Sequence, residues 1–292
     1  STAILQDFLS GKMRPGDKKN VYKSLLDGKT NLVIGTHALF QKNISFKNLG
    51  LVIIDEQHKF GVAQRAKLWS KKREFYPHVL VMTATPIPRT LALTLYGDLD
   101  VSVIDELPSG RKEIITSHRF DNSRLKVFNF IKKTIDFGGQ VYVVYPLIEE
   151  SAKKDHKDLM DGYKSLTKYF PETQIGVLHG RMKSENKEYE MKRFAEGKSK
   201  ILVSTTVIEV GVDVANASVI IIESAERFGL SQLHQLRGRV GRGSAQSYCI
   251  LMTKYDLSND SKERIKAMVG SSDGFKIANV DLKMRGPGNM MG

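Results

Sequence analysis

The feature that most constrains how this chain can fold is an internal duplication. Residues 9–36 align without gaps with residues 178–205, an offset of 169 positions. A second block, residues 51–61, aligns with residues 219–229 at an offset of 168. Two blocks at nearly the same offset indicate a duplicated domain, because solenoid repeats recur every ~20–50 residues. The sequence therefore predicts two copies of one fold.

Each copy alternates short apolar runs with amphipathic helical stretches. Strands buried on both faces of a parallel sheet are typically continuous β-branched runs, and helices cover such sheets. We therefore predict an α/β fold with parallel sheets flanked by helices. In the second copy, strands are predicted at residues 113–117, 140–145, 173–178, 201–204, 218–222 and 247–252, and helices at residues 121–136, 184–196 and 231–237.

The first copy is predicted to be incomplete. Its apolar runs give three strands, at residues 31–34, 51–54 and 79–82, and residues 1–8 fall into neither copy. Residues 105–111, with a Pro-Ser-Gly sequence that favours a turn, are predicted to be the hinge between the copies.

Composition limits the class of protein. The chain has 292 residues, 41% of them apolar, which is enough for two cores of ordinary size. No apolar run reaches the ~18 residues that suggest a transmembrane helix. Cys249 is the only cysteine, so no internal disulfide can form. We therefore predict a cytoplasmic protein that does not bind membranes.

The chain is strongly basic, with a formal net charge of +13. Soluble proteins with such an excess of cations commonly bind a polyanion, of which nucleic acid is the most frequent. The alternative is a generally basic surface that serves solubility. Charge alone does not separate the two.

An acidic pair follows the predicted strand at residues 51–54. Ligands of open parallel sheets bind at the carboxyl ends of the strands, so these positions are candidates for chemistry. Asp55 can hold Mg²⁺, usually through water, and Glu56 can orient and deprotonate an attacking water. Gln57 and His58 complete this polar strand end. The alternative is an acidic pair that only opens a solvated loop.

Two further strand ends carry hydroxyl residues. Thr83, Ala84 and Thr85 follow the strand at 79–82, and the next residue, a proline, favours a rigid turn. An ordinary strand-to-helix connection is the simpler reading of that segment. The strand at 201–204 leads into a second cluster that could face the first across a cleft: Thr205, Glu209, Gly211 and Asp213.

The most specific signal is an arginine-rich segment at residues 235–242. Guanidinium groups are forked donors that neutralise charge on a phosphoryl group during transfer. Arg239 and Arg242 each follow a glycine, and we expect Gly238 and Gly241 to let the backbone approach a ligand. The alternative is an arginine-rich loop that binds nucleic acid.

In this order and spacing, the motifs resemble those of superfamily 2 helicases over nearly the whole chain. The resemblance implies two tandem RecA-like domains, the first of them incomplete. It divides the chain into an N-terminal lobe (1–107), a C-terminal lobe (108–258) and a partly helical extension (259–292). The matching positions are 36–37 (motif Ib), 55–58 (II), 83–85 (III), 179–181 (IVa), 204–213 (V) and 235–242 (VI).

Within the superfamily the chain is similar to bacterial DNA helicases that migrate branched DNA. The resemblance rests on residues 35–39, 55–62, 83–90, 225–242 and 282–289. It implies a monomeric ATP-dependent helicase of DNA repair and recombination that uses ATP and Mg²⁺ and binds forks or Holliday junctions. Transcription-repair coupling translocases share much of this sequence but usually have glutamate in place of Gln57. An RNA helicase and a non-hydrolysing nucleic-acid-binding module are further alternatives.

The resemblance also implies roles for single residues. Asp55 would organise Mg²⁺, with Glu56 beside it as the general base. Gln57 and His58 would couple the nucleotide state to the lobe interface. The other implied roles are transmission to the DNA side (Thr83, Ala84, Thr85), contact with the γ-phosphate (Arg239 and Arg242, placed by Gln235), a position near the nucleotide (Glu209, Gly211, Asp213), and DNA contacts (Thr36, His37, His179, Arg181, Thr205).

The phosphate-binding loop of such enzymes, Gly-x-x-x-x-Gly-Lys-[Ser/Thr], does not occur in these residues. Gly11 and Lys12 come nearest, but the duplication pairs them with Gly180 and Arg181. We expect the phosphate loop and a DNA-junction wedge to lie upstream in the same protein. This chain alone is therefore predicted not to hydrolyse ATP at a useful rate.

Overall fold

A computed structural model describes residues 4–41, 43–56, 77–83, 100–104, 106, 110–147, 152–205 and 214–285. The chain divides into two compact units, Ser1–Ala84 and Thr85–Gly292. Both units are α/β, as the sequence predicts. No helix within the described ranges is long and apolar enough to cross a membrane.

The first unit contains two pairs of parallel strands. The strands β1 (Gln6–Leu9) and β2 (Leu32–Gly35) flank helix α1 (Pro15–Asp27) and pair with each other. A 3₁₀ turn follows at His37–Phe40. The strands β3 (Leu51–Ile54) and β4 (His78–Val81) form the second pair. Among the described residues of this unit, one apolar cluster is formed by Leu9, Val21, Leu25, Ala38 and Ile44.

Strand β1 corrects one prediction, since residues 1–8 were expected to belong to neither copy. Gln6 and Asp7 interrupt the apolar pattern, and the strand is therefore not visible as an apolar run. Its pairing with β2 supplies the hydrogen bonds, and Leu9 is fully buried. The duplicated block therefore begins at Gln6, whose counterpart Ile175 opens a strand of the second unit.

The second unit is built on a six-stranded sheet in which all strands are parallel, in the order β5-β10-β9-β6-β8-β7. This confirms the predicted parallel sheet. The strands are β5 (Ile115–Phe120), β6 (Gln140–Val144), β7 (Ile175–Leu178), β8 (Ile201–Ser204), β9 (Ala217–Ile222) and β10 (Tyr248–Thr253). The helices are α2 (Arg124–Asp136), α3 (Ala152–Tyr169), α4 (Ser184–Ala195), α5 (Leu230–Arg237), α6 (Asn259–Gly270) and α7 (Gly274–Arg285).

Helices cover both faces of this sheet. Strand β6 shows the alternation, because Val141 and Val143 face one apolar cluster whereas Tyr142 and Val144 face the other. The first cluster includes α2 and α3, and the second includes α4 to α7. Every residue of β6 is buried, which explains why its sequence is apolar from Val141 onward.

The predicted bounds lie within three residues of the observed ones. The strands at residues 51–54 and 201–204 coincide with the predictions. The helix expected from residue 121 begins at Arg124, because a 3₁₀ turn occupies Asp121–Ser123. Residues 259–285 form α6 and α7.

The duplication extends to individual hydrogen bonds. Lys18 Nζ donates to Gly11 O at 2.9 Å, and its counterpart Lys187 Nζ donates to Gly180 O at 2.8 Å. The turns after β1 and β7 are also closed alike, with a methionine sulfur accepting a backbone N–H in each. These matching hydrogen bonds support the pairing of Gly11 with Gly180. They disfavour the alternative in which Gly11 and Lys12 belong to a phosphate-binding loop.

Candidate functional site

The carboxyl ends of β3 and β4 bring three predicted site residues to one edge. Ile54 lies opposite Val81, and the N–H of Met82 donates to Ile54 O at 2.8 Å. Asp55 and Glu56 follow β3, and Thr83 follows β4, so parallel pairing places them side by side. Four predicted partners lie outside the described residues: Gln57, His58, Ala84 and Thr85.

Glu56 has a left-handed backbone conformation, with φ of 51°. Such a conformation costs a non-glycine residue about 1–2 kcal/mol. Asp55 Oδ1 accepts the N–H of Glu56 at 2.9 Å and so stabilises the turn. Strained positions of this kind cluster at functional sites, where the turn directs a side chain.

The acidic pair has the donor chemistry that Mg²⁺ requires. Mg²⁺ bound to a nucleotide usually takes one or two carboxylates, with phosphates and water filling the other positions. Asp55 is exposed at the strand end and offers oxygen ligands. No group of three or more His, Cys, Asp or Glu side chains among the described residues could hold a metal ion by itself. The pair therefore fits an ion that it shares with nucleotide phosphates.

The residues predicted to contact DNA follow equivalent strands in the two units. Thr36 follows β2 and Thr205 follows β8, and their N–H groups donate to Leu9 O at 3.2 Å and Leu178 O at 3.1 Å. His179 is half-buried after β7, and Arg181 is exposed. His37 begins the 3₁₀ turn after Thr36. Within each unit, the duplicated strand ends bring these residues together.

Thr205 is more deeply buried than the other residues predicted to contact DNA. Its side chain is only 2% exposed, and its hydroxyl has no hydrogen-bond partner in the described part of the chain. The DNA contact of Thr205 stays a prediction. Three residues predicted to lie near the nucleotide, Glu209, Gly211 and Asp213, lie outside the described ranges.

The arginine-rich segment begins on helix α5. Leu230, Leu233 and Leu236 form its buried stripe, and Gln235 lies on the half-buried side. Arg239 follows the helix in a half-buried position, and Arg242 is exposed. Two of the predicted phosphate-binding side chains therefore lie at or near the surface of the second unit.

Arg237 is a residue that the motif reading did not single out. It is 4% exposed and donates from Nη1 to Met268 O at 3.1 Å and to Ser271 O at 2.7 Å. Its Nη2 donates to Ser272 O at 3.0 Å. Arg237 thus caps the C-terminal end of α6. Its place on the i, i+3, i+7 stripe of α5, shared with Leu230 and Leu233, could have revealed its burial.

The two glycines of this segment differ in backbone geometry. Gly241 has a φ of 80°, and a Cβ there would lie 2.9 Å from Ile114 Cγ1. The backbone at Gly241 therefore approaches a neighbouring side chain of the same unit. Gly238 has an ordinary φ of −67°, and its nearest neighbour would lie 3.4 Å from an added Cβ. Only Gly241 requires glycine.

The C-terminal helices anchor the start of α5. Arg264 of α6 donates to Phe228 O at 2.8 Å and to Glu226 O at 3.1 Å. Ser231 Oγ lies 3.3 Å from Asp281 Oδ2 of α7. Together with Arg237, these contacts fix both ends of the helix that leads to Arg239 and Arg242.

Comparison with protein families places both units in one class. Residues 4–94 match the DEAD/DEAH box helicase family, and residues 125–244 match the helicase conserved C-terminal domain. A DNA-bound structure of the DUF1998 helicase MrfA shares the fold, with a TM-score of 0.64 at 18% identity over 93% of this chain and 41% of that one. The chain belongs to the superfamily 2 helicases.

Within that class, the chain is similar to RecG. It is 55% identical to the ATP-dependent DNA helicase RecG of Synechocystis sp. over 98% of its length and 52% identical to that of Aquifex aeolicus over 98%. A structure of RecG bound to a three-way DNA junction matches 99% of the chain with a TM-score of 0.75 and 46% identity. The chain spans 34% and 36% of the two relatives and 37% of the solved chain.

Proposed function

We propose that this chain is the motor portion of an ATP-dependent DNA helicase that remodels branched DNA. The observation that carries the proposal is the match to RecG bound to a three-way junction, at 46% identity over 99% of the chain. Net charge of +13 agrees with a nucleic-acid partner. Fork regression and branch migration in repair and recombination are the activities that this similarity favours.

In the first unit, we assign the hydrolytic groups to the strand end after β3. Asp55, with Glu56 beside it, would hold Mg²⁺, which would offset the negative charge of the ATP phosphates. Glu56 orients the attacking water and accepts its proton. Gln57 and His58 relate the nucleotide state to the lobes, and Thr83, Ala84 and Thr85 transmit it towards DNA.

In the second unit, we assign phosphate recognition to the arginine-rich segment. Arg239 and Arg242 act on the γ-phosphate of ATP, where fork-shaped donors stabilise charge in the transition state. Gln235 holds them in place. Glu209, Gly211 and Asp213 lie between the nucleotide and DNA in this assignment.

Contacts with the DNA backbone are assigned to both units. Thr36 and His37 act in the first unit, and His179 and Arg181 act in the second. Phosphate contacts of this kind are independent of base sequence and weaken as salt rises. Replacing Arg181 with Ala should lower DNA affinity at all sequences and reduce the salt slope by about one, whereas Lys192→Ala on α4 should change neither.

The deciding measurement is ATP hydrolysis by the full-length protein with no DNA, linear duplex or a three-way junction. We expect the junction to stimulate hydrolysis most. Equal rates on linear and branched DNA would contradict the substrate assignment. No DNA stimulation at all would contradict the helicase assignment.

A further inference from the structure

An ion pair between a buried carboxylate and a half-buried arginine closes the carboxyl end of β9. Glu223 follows this strand and is 6% exposed. Arg124, the first residue of α2, donates from Nη1 to Glu223 Oε1 at 2.7 Å and from Nη2 to Oε2 at 2.9 Å. Burial alone would lower the pKa of Arg124, but the hydrogen bonds and charge of Glu223 outweigh it and raise that pKa. The pair therefore has the forked geometry of a strong arginine–carboxylate contact.

Tyr145 encloses this pair. It is 8% exposed and lines one small cavity together with Arg124 and Glu223. A Cβ at Gly162 of α3 would overlap the Tyr145 hydroxyl, so glycine lets the helix lie against the ring. Burial, together with the negative charge of Glu223, raises the pKa of Tyr145. The pair is thus held among α2, α3 and β6.

In the first unit, the strand end that corresponds to Glu223 carries the acidic pair Asp55 and Glu56. The duplication aligns Glu223 with Asp55 and Ser224 with Glu56. Ser224 and Glu56 are also the non-glycine residues with positive φ among those described, at 48° and 51°. The fold therefore makes one strained turn twice. Asp55 is exposed at its turn, whereas the guanidinium of Arg124 satisfies Glu223.

The turn after Glu223 leads directly to α5. Within it, Arg227 N–H donates to Ser224 O at 2.9 Å, and Phe228 N–H donates to Ala225 O at 3.2 Å. Arg227 Nη1 also lies 3.9 Å from Asp158 Oδ2 of α3. Helix α5 then begins at Leu230. The strand end at Glu223 therefore sets where α5 starts, together with Arg264 of α6, which donates to Glu226 O and Phe228 O in this turn.

We propose that Arg124 and Glu223 are positioning residues for ATP hydrolysis. The pair fixes the turn at residues 224–228 and, through it, the helix that carries Gln235 and leads to Arg239. This inference rests on the proposed function. Buried ion pairs add little net stability compared with apolar packing, and ordering of a segment is therefore the better account of this pair.

The test compares four variants of the full-length protein: Arg124→Gln, Glu223→Gln, the double variant, and Arg193→Gln. Arg193 is the matched control, because it pairs with Glu190 at 3.2 Å in the same unit and both side chains are similarly shielded from solvent. The readouts are kcat and KM for DNA-stimulated ATP hydrolysis, and amide hydrogen exchange of residues 224–242.

We expect Arg124→Gln and Glu223→Gln to lower kcat about 10- to 100-fold with KM and DNA affinity nearly unchanged, as small displacements of reacting groups do. Amide hydrogen exchange at residues 224–242 should be faster in both of these variants than in the wild type, and it should be unchanged in Arg193→Gln. The double variant should be no worse than either single one, since no buried charge is left without its partner.

The inference is overturned if both variants show the kcat and exchange of Arg193→Gln at a temperature where all are folded. A wild-type protein that does not respond to DNA would instead contradict the proposed function. In that case the exchange measurement still decides whether the pair orders residues 224–242.

Discussion

The two copies of the duplicated fold share a backbone framework and differ in what their strand ends hold. After β3, Asp55 is exposed and Glu56 sits in a left-handed turn. After β9, Glu223 is 6% exposed and bound by Arg124, and Ser224 sits in the same turn. One strand end is open to a ligand, and the other is closed by the protein's own cation.

This difference shows how a duplicated fold divides its chemistry. Parallel sheets direct the carboxyl ends of their strands towards one edge, so each copy offers the same location for a site. Side chains then decide its use: in our proposal, the first copy supplies metal and base, and the second copy supplies arginines. Substitutions in the first copy and in the second copy should therefore affect ATP hydrolysis in different ways.

The largest effect is expected from Arg242→Ala in the second copy. Loss of an arginine finger lowers hydrolysis on the order of 10³–10⁵-fold in GTPases, and we expect a loss of this size here. DNA affinity should be nearly unchanged, because many other cations contact phosphates. Steady-state hydrolysis and DNA binding of the full-length variant measure both quantities. A rate within a few-fold of wild type would mean that Arg242 is not a finger.

Glu56→Gln in the first copy should have the next largest effect. Removal of a general base costs about 10²–10⁴-fold in rate. ATP binding should persist, because the amide retains the shape of the carboxylate. Glu185→Gln, at the exposed start of α4, is the matched control and should be unaffected. Wild-type turnover by Glu56→Gln would contradict the division of labour between the copies.

Much of the framework was predictable because strand burial leaves a clear sequence pattern. The continuous apolar run of β6 and the strand at residues 201–204 were recognised for this reason. Strand β1 was not, since Gln6 and Asp7 break its pattern and only pairing with β2 reveals it. Asp55 and Glu56, which were identified from their motif, follow a strand as expected.

Side-chain partners between distant segments were not predictable. Nothing in the local sequence joins Arg124 to Glu223 or Arg237 to the carbonyl of Ser271. From a sequence motif alone, an arginine that binds phosphate cannot be distinguished from one that caps a helix. The structure separates Arg237, which is buried, from Arg242, which is exposed.

The second copy should also have a pH dependence, through His234 on α5. Burial, with a smaller contribution from the charge of Arg237, lowers the pKa of His234 to about 4. Above the usual pKa of ~6.5 the side chain is neutral in both states, and stability is fully present. Between pH 6.5 and 4 the unfolded chain binds the proton preferentially, so stability falls, by at most about 3 kcal/mol.

The melting temperature of the full-length protein, measured across this pH range, tests that expectation. His234→Asn should remove this contribution, so its melting temperature should fall less on acidification than that of the wild type. Parallel curves for the two proteins would show that His234 is not the group responsible.

The smallest effect concerns the two glycines of the arginine-rich segment. Gly241→Ala should destabilise the protein by about 2 kcal/mol, because alanine is disfavoured at a φ of 80° and its Cβ would lie 2.9 Å from Ile114. Gly238→Ala is the matched control: with φ of −67° and no neighbour closer than 3.4 Å, it should be neutral or slightly stabilising. Thermal melting of both variants measures the difference. Equal stabilities would mean that the backbone turn at Gly241 tolerates any side chain, and the segment would then owe its shape to the anchors at Arg237 and Arg264 alone.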